Sequence, residues 1–258
     1  MTGAKTNPVP STARAEHEIA HGRFLASSGA EAIWGWSTPA GQLRALRRAD
    51  MIARGADLHA GMNVLEVGCG TGLFTELLSK SGANLIAVDI SPELLEQAGQ
   101  RGLDPAKVKF VPARFEDCAL YGPFDAVVGS SVLHHLEIEP SLRKIFDLLK
   151  PAGVMSFAEP NMLNPQIAIQ KNIGWIKRRL GDSPDETAFV RWRLAKLLKR
   201  IAFEQIRITP FDWLHPVAPR LMIPTVRAIG AVMERIPVGR EFAGSVHIRA
   251  VRPMEKRI

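Results

Sequence analysis

The sequence is poor in cysteine and contains no long uninterrupted apolar run. Only Cys69 and Cys118 occur among 258 residues. Two cysteines are too few for a disulfide framework or a cysteine-rich metal site, so we predict a reducing compartment. The first ten residues lack the apolar core of a signal peptide. Charged residues interrupt every apolar stretch before it reaches the ~20 residues of a membrane span. We therefore predict a cytoplasmic protein, for which peripheral contact with a membrane surface stays open.

Motifs for metals and for dinucleotides are also missing. No group of His, Cys, Asp and Glu residues has the spacing of metal ligands, so we predict no metal site. The dinucleotide fingerprint Gly-x-Gly-x-x-Gly is incomplete because position 73 is leucine, and no Gly-Lys-Ser/Thr follows as it does in a P-loop. Both absences weigh against a nicotinamide or flavin dinucleotide.

Acidic residues are outnumbered by basic ones. The chain has 33 Lys and Arg against 26 Asp and Glu, a formal net charge of +7. Such a balance favours anionic partners, which are nucleic acid, an acidic membrane surface or an anionic substrate. The charge alone does not choose among them.

The hydrophobic pattern divides the chain into four parts. We predict a flexible tail over residues 1–22 and an N-terminal helical lid over residues 23–61. Short apolar runs alternate with amphipathic stretches over residues 62–160, which indicates a parallel sheet with helices on both faces. The predicted strands cover residues 63–67, 84–88, 108–111, 124–129 and 154–158, and Ser91 followed by Pro92 predicts a helix start.

In residues 161–258 we predict amphipathic helices over residues 166–180 and 189–202 and strands over residues 205–209 and 245–251. Residues 216–237 between these strands are helical in composition but broken by prolines. The apolar face of the second helix consists of Val190, Leu194, Leu197, Leu198 and Ile201.

A glycine-rich turn carries the strongest local signal. The run EVGCGTG at residues 66–72 follows an apolar strand and precedes an amphipathic helix. Glycines there allow a tight turn and let a ligand approach the backbone. Glu66 at the end of the strand suits a cationic ligand better than a phosphate. Asp89 closes the next strand roughly 20 residues later, where an acid grips ribose hydroxyls in this architecture. The alternative for Asp89 is a helix cap or a solvent-facing side chain.

These motifs resemble the class I S-adenosylmethionine-dependent methyltransferases, in particular their small-molecule branch. The resemblance continues through FDAVVGSSVLHHL at residues 124–136 and LLKPAGV at residues 148–154, and it covers roughly residues 45–160. It implies a Rossmann-like, doubly wound, mostly parallel seven-stranded α/β sheet with an N-terminal helical lid. It also implies a C-terminal helical cap inserted before the last strand. The implied cofactor is S-adenosyl-L-methionine, with S-adenosyl-L-homocysteine as product.

The resemblance also assigns the cofactor contacts. It places the methionine part at the glycine turn, the ribose at Asp89, the adenine after the third strand and the sulfonium after the fourth. Where related enzymes often have Asp-Ala or Asn-Ala, this chain has Arg114-Phe115, which leaves the Phe115 backbone with Glu116 or Asp117 for the adenine. The predicted cofactor-binding residues are Glu66, Gly68, Cys69, Gly70, Gly72, Asp89, Ile90, Arg114, Phe115, Glu116 and Ser130.

His134 and His135 are the predicted catalytic residues. A histidine with an ordinary pKa of ~6.5 at the mouth of a cofactor site can take the proton of a hydroxyl during methyl transfer. The alternative is that one of them only packs in the loop. Alignment of the reactants can itself supply roughly 7–11 kcal/mol, so a dedicated base is not required.

Five residues are predicted substrate contacts. Trp34 and Trp36 suit a lid that closes over a cationic sulfonium, although they suit an anchor for the N-terminal helices nearly as well. Glu159 and Asn161 follow the fifth strand, where either a substrate contact or a simple turn fits. His215 lies in the C-terminal insertion.

The predicted acceptor is a small molecule, methylated at a hydroxyl oxygen. The chain lacks the Asn/Asp-Pro-Pro-aromatic motif of adenine or glutamine methylation and the Pro-Cys of pyrimidine C5 methylation, so nucleic acid is disfavoured. Residues 161–244 mix basic and apolar side chains, which suits an amphiphilic or anionic metabolite, lipid or saccharide. The alternative for this segment is a solvated basic face over an ordinary core. The alternatives are an RNA-directed methyltransferase, a basic nucleic-acid-binding protein and an inactive cofactor-binding partner. The oligomeric state stays open.

Overall fold

A seven-stranded sheet forms the centre of the protein. The computed structural model describes residues 11–120, 122–173 and 188–254. The strand order is β3-β2-β1-β4-β5-β7-β6. Within this described sheet, β7 runs antiparallel to the other six strands. The strands are β1 Asn63–Val67, β2 Asn84–Asp89, β3 Val108–Pro112, β4 Phe124–Ser130, β5 Leu149–Pro160, β6 Glu204–Phe211 and β7 Ser245–Val251. This order confirms the predicted doubly wound, mostly parallel α/β fold.

Helices cover both faces of the sheet. They are α1 Ser11–Ser28, α2 Ala30–Ile33, α3 Pro39–Gly55, α4 Leu73–Ser79, α5 Pro92–Gly99, α6 Ile138–Leu148, α7 Pro165–Asn172, α8 Arg191–Arg200 and α9 Ile223–Met233. Side chains alternate along each strand, so Val64 packs with α3 and α4 while Leu65 packs with α6 and α8. One apolar core therefore lies on each face of the sheet.

Local sequence signals fix several helix starts. The side chains of Thr38, Ser91 and Asn164 each accept a hydrogen bond from a backbone N–H three residues later. A proline occupies the first helical position after each of them, where its missing N–H costs nothing. The predicted helix start at Ser91 is confirmed.

The buried face of α3 differs from the prediction. We expected Leu43, Leu46 and Met51 or Ile52 to face the core, with the arginines elsewhere. Leu46 is 51% exposed, whereas Arg48 is only 3% exposed. The buried stripe consists of Ala45, Arg48, Ala49 and Ile52, which follow the i, i+3, i+4, i+7 spacing of one helix face.

The predicted flexible tail is wrong for residues 11–22, because they lie in α1. This helix packs against α5, and Leu25 joins a small apolar cluster with Ala30 and Leu94. Its sequence is rich in good helix formers but has no sustained apolar face, so periodicity did not reveal it. Residues 1–10 lie outside the described ranges.

The C-terminal part completes the same sheet. The predicted helix over residues 166–180 begins as α7, and its predicted continuation from residue 174 falls outside the described residues. In α8 the predicted apolar face is confirmed, since Leu194, Leu198 and the following Ile201 are buried. Residues 216–237, predicted to be broken by prolines, form a 3₁₀ turn followed by α9.

Candidate active site

A cavity of about 780 Å³ opens at the carboxyl ends of β1, β2 and β4. Helix α1, the segment between α2 and α3, and residues 212–217 form its other walls. The carboxyl ends of parallel strands are the usual ligand site of an open α/β sheet. The cavity brings together most of the predicted site residues.

The glycine turn forms one wall of the cavity. Gly68 has φ +67°, and a Cβ there would lie 2.2 Å from Cγ2 of Val132. Gly70 has φ +51° and lies against the Trp34 ring. Gly68, Cys69 and Gly70 line the cavity. Gly72 does not, contrary to prediction, because it precedes α4 and packs against Ala98.

Asp89 ties the first two strand ends together. Its carboxylate accepts hydrogen bonds from the backbone N–H groups of Gly70, at 2.7 Å, and Ser91, at 2.9 Å. Burial raises the pKa of Asp89, and these two donors oppose the rise. Asp89 and Ile90 both line the cavity, and their contact with a ribose stays a prediction.

Glu66 lies beneath the glycine turn and is not a wall of the cavity, contrary to prediction. Its side chain is almost fully buried, and Oε2 has no hydrogen-bond partner among the residues that the structure describes. Burial raises the pKa of Glu66 to about 7. This geometry therefore does not favour a direct contact between Glu66 and a ligand.

Arg114, Phe115 and Glu116 line the end of the cavity next to β3. The Arg114 guanidinium pairs with the exposed Asp117 at 2.8 Å. Glu116 accepts the backbone N–H of Glu137 at 3.3 Å. Of the two acids predicted for the adenine amino group, Glu116 reaches the cavity and Asp117 is turned toward Arg114.

His134 is held by a buried carboxylate. Its Nδ1 lies 2.7 Å from Oε2 of Glu159, while Oε1 of Glu159 accepts the backbone N–H groups of Val132 and Leu133. His134 is 5% exposed and lines the cavity. Glu159 is fully buried behind it, so the predicted substrate contact of Glu159 is corrected to a contact with His134. Burial raises the pKa of Glu159 to about 7.

Helix α1 covers the histidine pair. The Nδ1 of His135 lies 2.9 Å from a carboxylate oxygen of Glu18. Arg14 donates hydrogen bonds to the backbone carbonyls of His135, at 2.6 Å, and His134, at 3.2 Å. Helix α1, most of which was predicted as a flexible tail, thus forms a wall of the site.

Trp34 and Trp36 both line the cavity. Trp36 packs edge-on against Phe74 at 5.5 Å, and the guanidinium of Arg44 lies 5.3 Å from its ring. Trp36 therefore anchors the N-terminal helices and also faces the site, which combines the two predicted alternatives.

Of the predicted substrate contacts Asn161 and His215, only His215 is among the described residues that line the cavity. Asn161 is buried, and its Nδ2 donates to the carbonyls of Glu241 and Ala243, both at 2.8 Å. Both amide hydrogens are used within the protein and Asn161 is not among the residues that line the cavity, so this geometry does not support its predicted substrate contact. His215 lines the cavity, where burial lowers its pKa.

Comparison with known proteins identifies the domain. Residues 65–157 match the family model described as methyltransferase domain. A ubiquinone biosynthesis O-methyltransferase of Xanthomonas oryzae is 36% identical over 135 residues, which cover 50% of this chain and 56% of that protein. That of Xanthomonas campestris is 34% identical over 162 residues, covering 60% and 66%. The chain contains a class I S-adenosylmethionine-dependent methyltransferase domain.

Solved structures agree with this domain in fold. The N-methyltransferase NodS of Bradyrhizobium japonicum in complex with S-adenosyl-L-homocysteine has a TM-score of 0.61 at 17% identity, covering 92% of this chain and 98% of that one. A Haemonchus contortus phosphoethanolamine N-methyltransferase has a TM-score of 0.61 at 15% identity, covering 86% and 57%. At these identities the likeness shows the fold alone. The chain spans about half the length of the first curated relatives it matches.

The family match covers only part of the cavity wall and its supporting residues. Gly68, Asp89 and His134 lie within residues 65–157, whereas Glu159, α1 and α3 lie outside them. Sequence analysis missed two arginines of α3, Arg44 and Arg48, which line the cavity. The sequence did carry a signal for the burial of Arg48, since its position follows the helical spacing of the buried Ala45, Ala49 and Ile52.

Within the described ranges, the methyltransferase chain has no helix both long and apolar enough to cross a membrane. The same residues contain no cluster of three or more His, Cys, Asp or Glu side chains arranged to hold a metal ion.

Proposed function

We propose that this chain transfers a methyl group from S-adenosylmethionine to a hydroxyl oxygen of a small-molecule acceptor, with His134 as the general base. The observation that carries this proposal is the His134–Glu159 pair at the wall of the cavity that also contains the glycine turn. A histidine with one ring nitrogen held by a buried carboxylate is the arrangement of a base that must take a proton.

The cavity fits the cofactor at its glycine turn. A Cβ at Gly68 would lie 2.2 Å from Val132, so only glycine fits at this position of the turn, whose residues line the cavity. Asp89 would hold the ribose hydroxyls through the lone pairs that its two backbone donors leave. Glu116 would accept from the adenine amino group. When bound, S-adenosylmethionine supplies an electrophilic methyl group on a sulfonium and leaves as the neutral thioether.

His134 would accept the hydroxyl proton of the acceptor. With Nδ1–H donating to the ionised Glu159 carboxylate, 2.7 Å away, the lone pair of His134 would be on Nε2. Methyl transfer to the acceptor oxygen would release the hydroxyl proton next to His134, and the sulfonium would become the neutral thioether. The hydroxyl proton passes to Nε2, and the Glu159 carboxylate stabilises the resulting imidazolium. Charge and atoms balance without any further reactant.

Helix α1 would exclude water from this chemistry. Arg14 and Glu18 fix α1 over the histidine pair through the contacts with the backbone carbonyls and His135. Exclusion of water strengthens the His134–Glu159 interaction and protects the reacting centre.

Two observations support an oxygen acceptor of small size. The sequence relatives at 34–36% identity are named as O-methyltransferases. The cavity volume of about 780 Å³ lies in the range that holds a cofactor together with a small molecule. The N-methyltransferases among the solved structures share the fold at much lower identity, so they do not decide whether oxygen or nitrogen is methylated.

The acceptor would be met at an anionic lipid surface. Exposed apolar and basic side chains share α9 and the residues that flank it, next to Trp213 and Leu214 of the cavity wall. We call these residues the α9 surface: Arg220, Leu221, Met222, Arg227, Ile229, Val232 and Arg235. A helix with exposed apolar side chains, one arginine of its own and an arginine on either side suits the boundary between headgroups and acyl chains.

A transfer assay tests the reaction. Radiolabelled S-adenosylmethionine is incubated with the protein and a panel of hydroxylated aromatic and lipid acceptors, and products are separated by chromatography. We expect methyl transfer to a hydroxyl, and a loss of about 10²- to 10⁴-fold in kcat for His134→Gln. The exposed His59→Gln serves as the matched control. Absence of transfer to every hydroxyl, or equal rates in the two variants, contradicts the proposal.

A further inference from the structure

We propose that Arg101 is a positioning residue that keeps residues 30–36, which we call the α2 segment, packed on the glycine turn and thereby controls how fast the cofactor leaves. This inference rests on the proposed function, because it concerns the release of S-adenosylmethionine from the same cavity. Arg101 itself is not among the described residues that line the cavity. It acts through Glu31 of the α2 segment and Thr71 of the turn.

Two nitrogens of Arg101 are bound to the glycine turn and to α4. Arg101 lies just after α5. Its Nε donates to the carbonyl oxygen of Thr71 at 2.5 Å, and one terminal nitrogen donates to Oε2 of Glu76 in α4 at 2.6 Å. Its side chain is only 18% exposed. A guanidinium held by a carbonyl and a carboxylate has a defined orientation, so the turn and α4 fix Arg101 in place.

The remaining terminal nitrogen of Arg101 reaches the α2 segment. It donates to Oε1 of Glu31, and the same oxygen accepts a hydrogen bond from the Thr71 hydroxyl at 2.9 Å. Glu31 is the only polar residue of α2, whose sequence is AEAI. One carboxylate oxygen therefore links this helix to both Arg101 and the glycine turn.

The α2 segment covers the part of the turn that faces the cavity. A Cβ at Gly70 would lie 3.2 Å from the ring of Trp34, and Trp34 itself lines the cavity. A ligand in contact with the turn therefore lies next to this segment. Glycines with positive φ flank Trp34 and the start of α2, with φ +76° at Gly35 and +81° at Gly29. Small residues at such positions can absorb the backbone rotation of a hinge.

Opening of the α2 segment would release one partner of Arg101 and leave the others. Glu76 and the Thr71 carbonyl belong to α4 and the turn, so they stay with Arg101 when the segment moves. Glu31 moves away, and because its side chain is already 33% exposed, water can replace its partners. No buried charge is left unpaired, so the movement avoids the large cost of such a charge. The contact therefore slows opening without preventing it.

The rate of cofactor release tests the role of Arg101. Radiolabelled S-adenosylmethionine is bound to the protein without acceptor and chased with excess unlabelled cofactor, and the remaining label is followed by rapid filtration. We expect Arg101→Gln and Glu31→Gln each to speed up release by about 5- to 20-fold, since each removes a charge-assisted hydrogen bond between the segment and the turn. Dissociation constants from calorimetry then give the association rates, which should not fall. Release at the wild-type rate, or a loss of affinity that lies in the association rate alone, overturns the inference.

Further variants separate this contact from a general loss of structure. The double variant Arg101→Gln with Glu31→Gln should release the cofactor no faster than either single variant, because both substitutions remove the same contact. Arg101→Lys should retain part of the slow release, since its ammonium group can still pair with Glu31. The matched control is Arg23→Gln, which removes an exposed ion pair between α1 and α5 and should leave the rate unchanged. Additive effects in the double variant overturn the inference.

Hydrogen exchange of the cofactor-free protein separates this inference from the proposed function. The backbone amides of Trp34 and Trp36 are hydrogen-bonded within the α2 segment. They should exchange about 5- to 20-fold faster in Arg101→Gln than in the wild type or in Arg23→Gln. Unchanged exchange in Arg101→Gln overturns the inference. If the wild type binds no S-adenosylmethionine, the proposed function fails, whereas the exchange rates still decide whether Arg101 fixes the α2 segment.

Discussion

The imidazole of His134 and the carboxylate of Glu159 meet at 2.7 Å although 25 residues separate them along the chain. One residue comes from the loop after β4 and the other from the end of β5, which are neighbouring parallel strands. The sheet therefore brings them to the same edge. The backbone N–H groups of Val132 and Leu133 hold the other carboxylate oxygen, so the pair is fixed before any ligand arrives.

Replacing Glu159 by Gln should impair proton transfer rather than acceptor binding. Gln retains the size of the side chain but loses the charge that stabilises the His134 imidazolium. We expect kcat to fall by about 10- to 100-fold with little change in KM. Glu137→Gln, on the same side of the sheet but outside the cavity wall, is the control. A change in KM alone would show that Glu159 acts on acceptor binding.

The pH dependence of turnover follows from the same pair. Burial raises the pKa of Glu159 to about 7. Below that pH the carboxylate takes a proton and can no longer stabilise the imidazolium that forms on His134. We expect kcat to rise with pH through about 7 and then to level off. A rate that is flat between pH 5.5 and 8.5 would remove the dyad from the mechanism.

Gly68→Ala should abolish cofactor binding. The new methyl group would lie 2.2 Å from Val132, at a backbone φ of +67° that disfavours a side chain. Gly99→Ala is the matched control, because nothing lies within 4 Å of its added Cβ. Calorimetric titration with S-adenosylhomocysteine should show binding in Gly99→Ala and none in Gly68→Ala. Equal affinities would mean that the turn does not contact the cofactor.

Glu66 should make the protein less stable as the pH rises. Its pKa is raised from 4.5 to about 7 by burial, so between these values the folded state holds a proton that the unfolded state releases. The free energy of unfolding therefore falls across this window, by about 3 kcal/mol for a shift of this size. Glu66→Gln should remove this loss between pH 5 and 8 in urea titrations, whereas Glu96→Gln on the surface should retain it. Parallel curves for Glu66→Gln and wild type would contradict the assignment.

The α9 surface should bind anionic vesicles. We expect cosedimentation with phosphatidylglycerol vesicles, little with phosphatidylcholine, and weakening at high salt. Ile229→Glu and Arg227→Glu should each reduce binding. Leu46→Glu, at another exposed apolar position, should not. Salt-insensitive binding, or binding unaffected by both α9 variants, would contradict a lipid role for this surface.

Local patterns predicted the sheet well. The bounds of β1 and β7 match the prediction at both ends, since each is a short apolar run with clear turn signals around it. The glycine turn and Asp89 were also found, because their spacing is set by one strand–helix–strand unit. These features depend on residues that lie close together in sequence.

The remaining site residues depend on tertiary contacts. Arg48 is buried because α3 lies across the ends of β4 and β7, whose serines come from positions 82 to 197 residues away. Helix α1 has no strong apolar face and is fixed by contacts with α5 and the histidine pair. The role of Glu159 became visible only with the neighbouring strands in place. No local pattern encodes such relationships.

The central claim is that this cavity binds S-adenosylmethionine, and calorimetric titration of that cofactor tests it most directly. We predict saturable binding at one site per chain, weakened at least about tenfold in Asp89→Ala. The exposed control Asp50→Ala should bind as the wild type does. No binding by the wild type, or an unchanged affinity in a folded Asp89→Ala variant, would contradict the account.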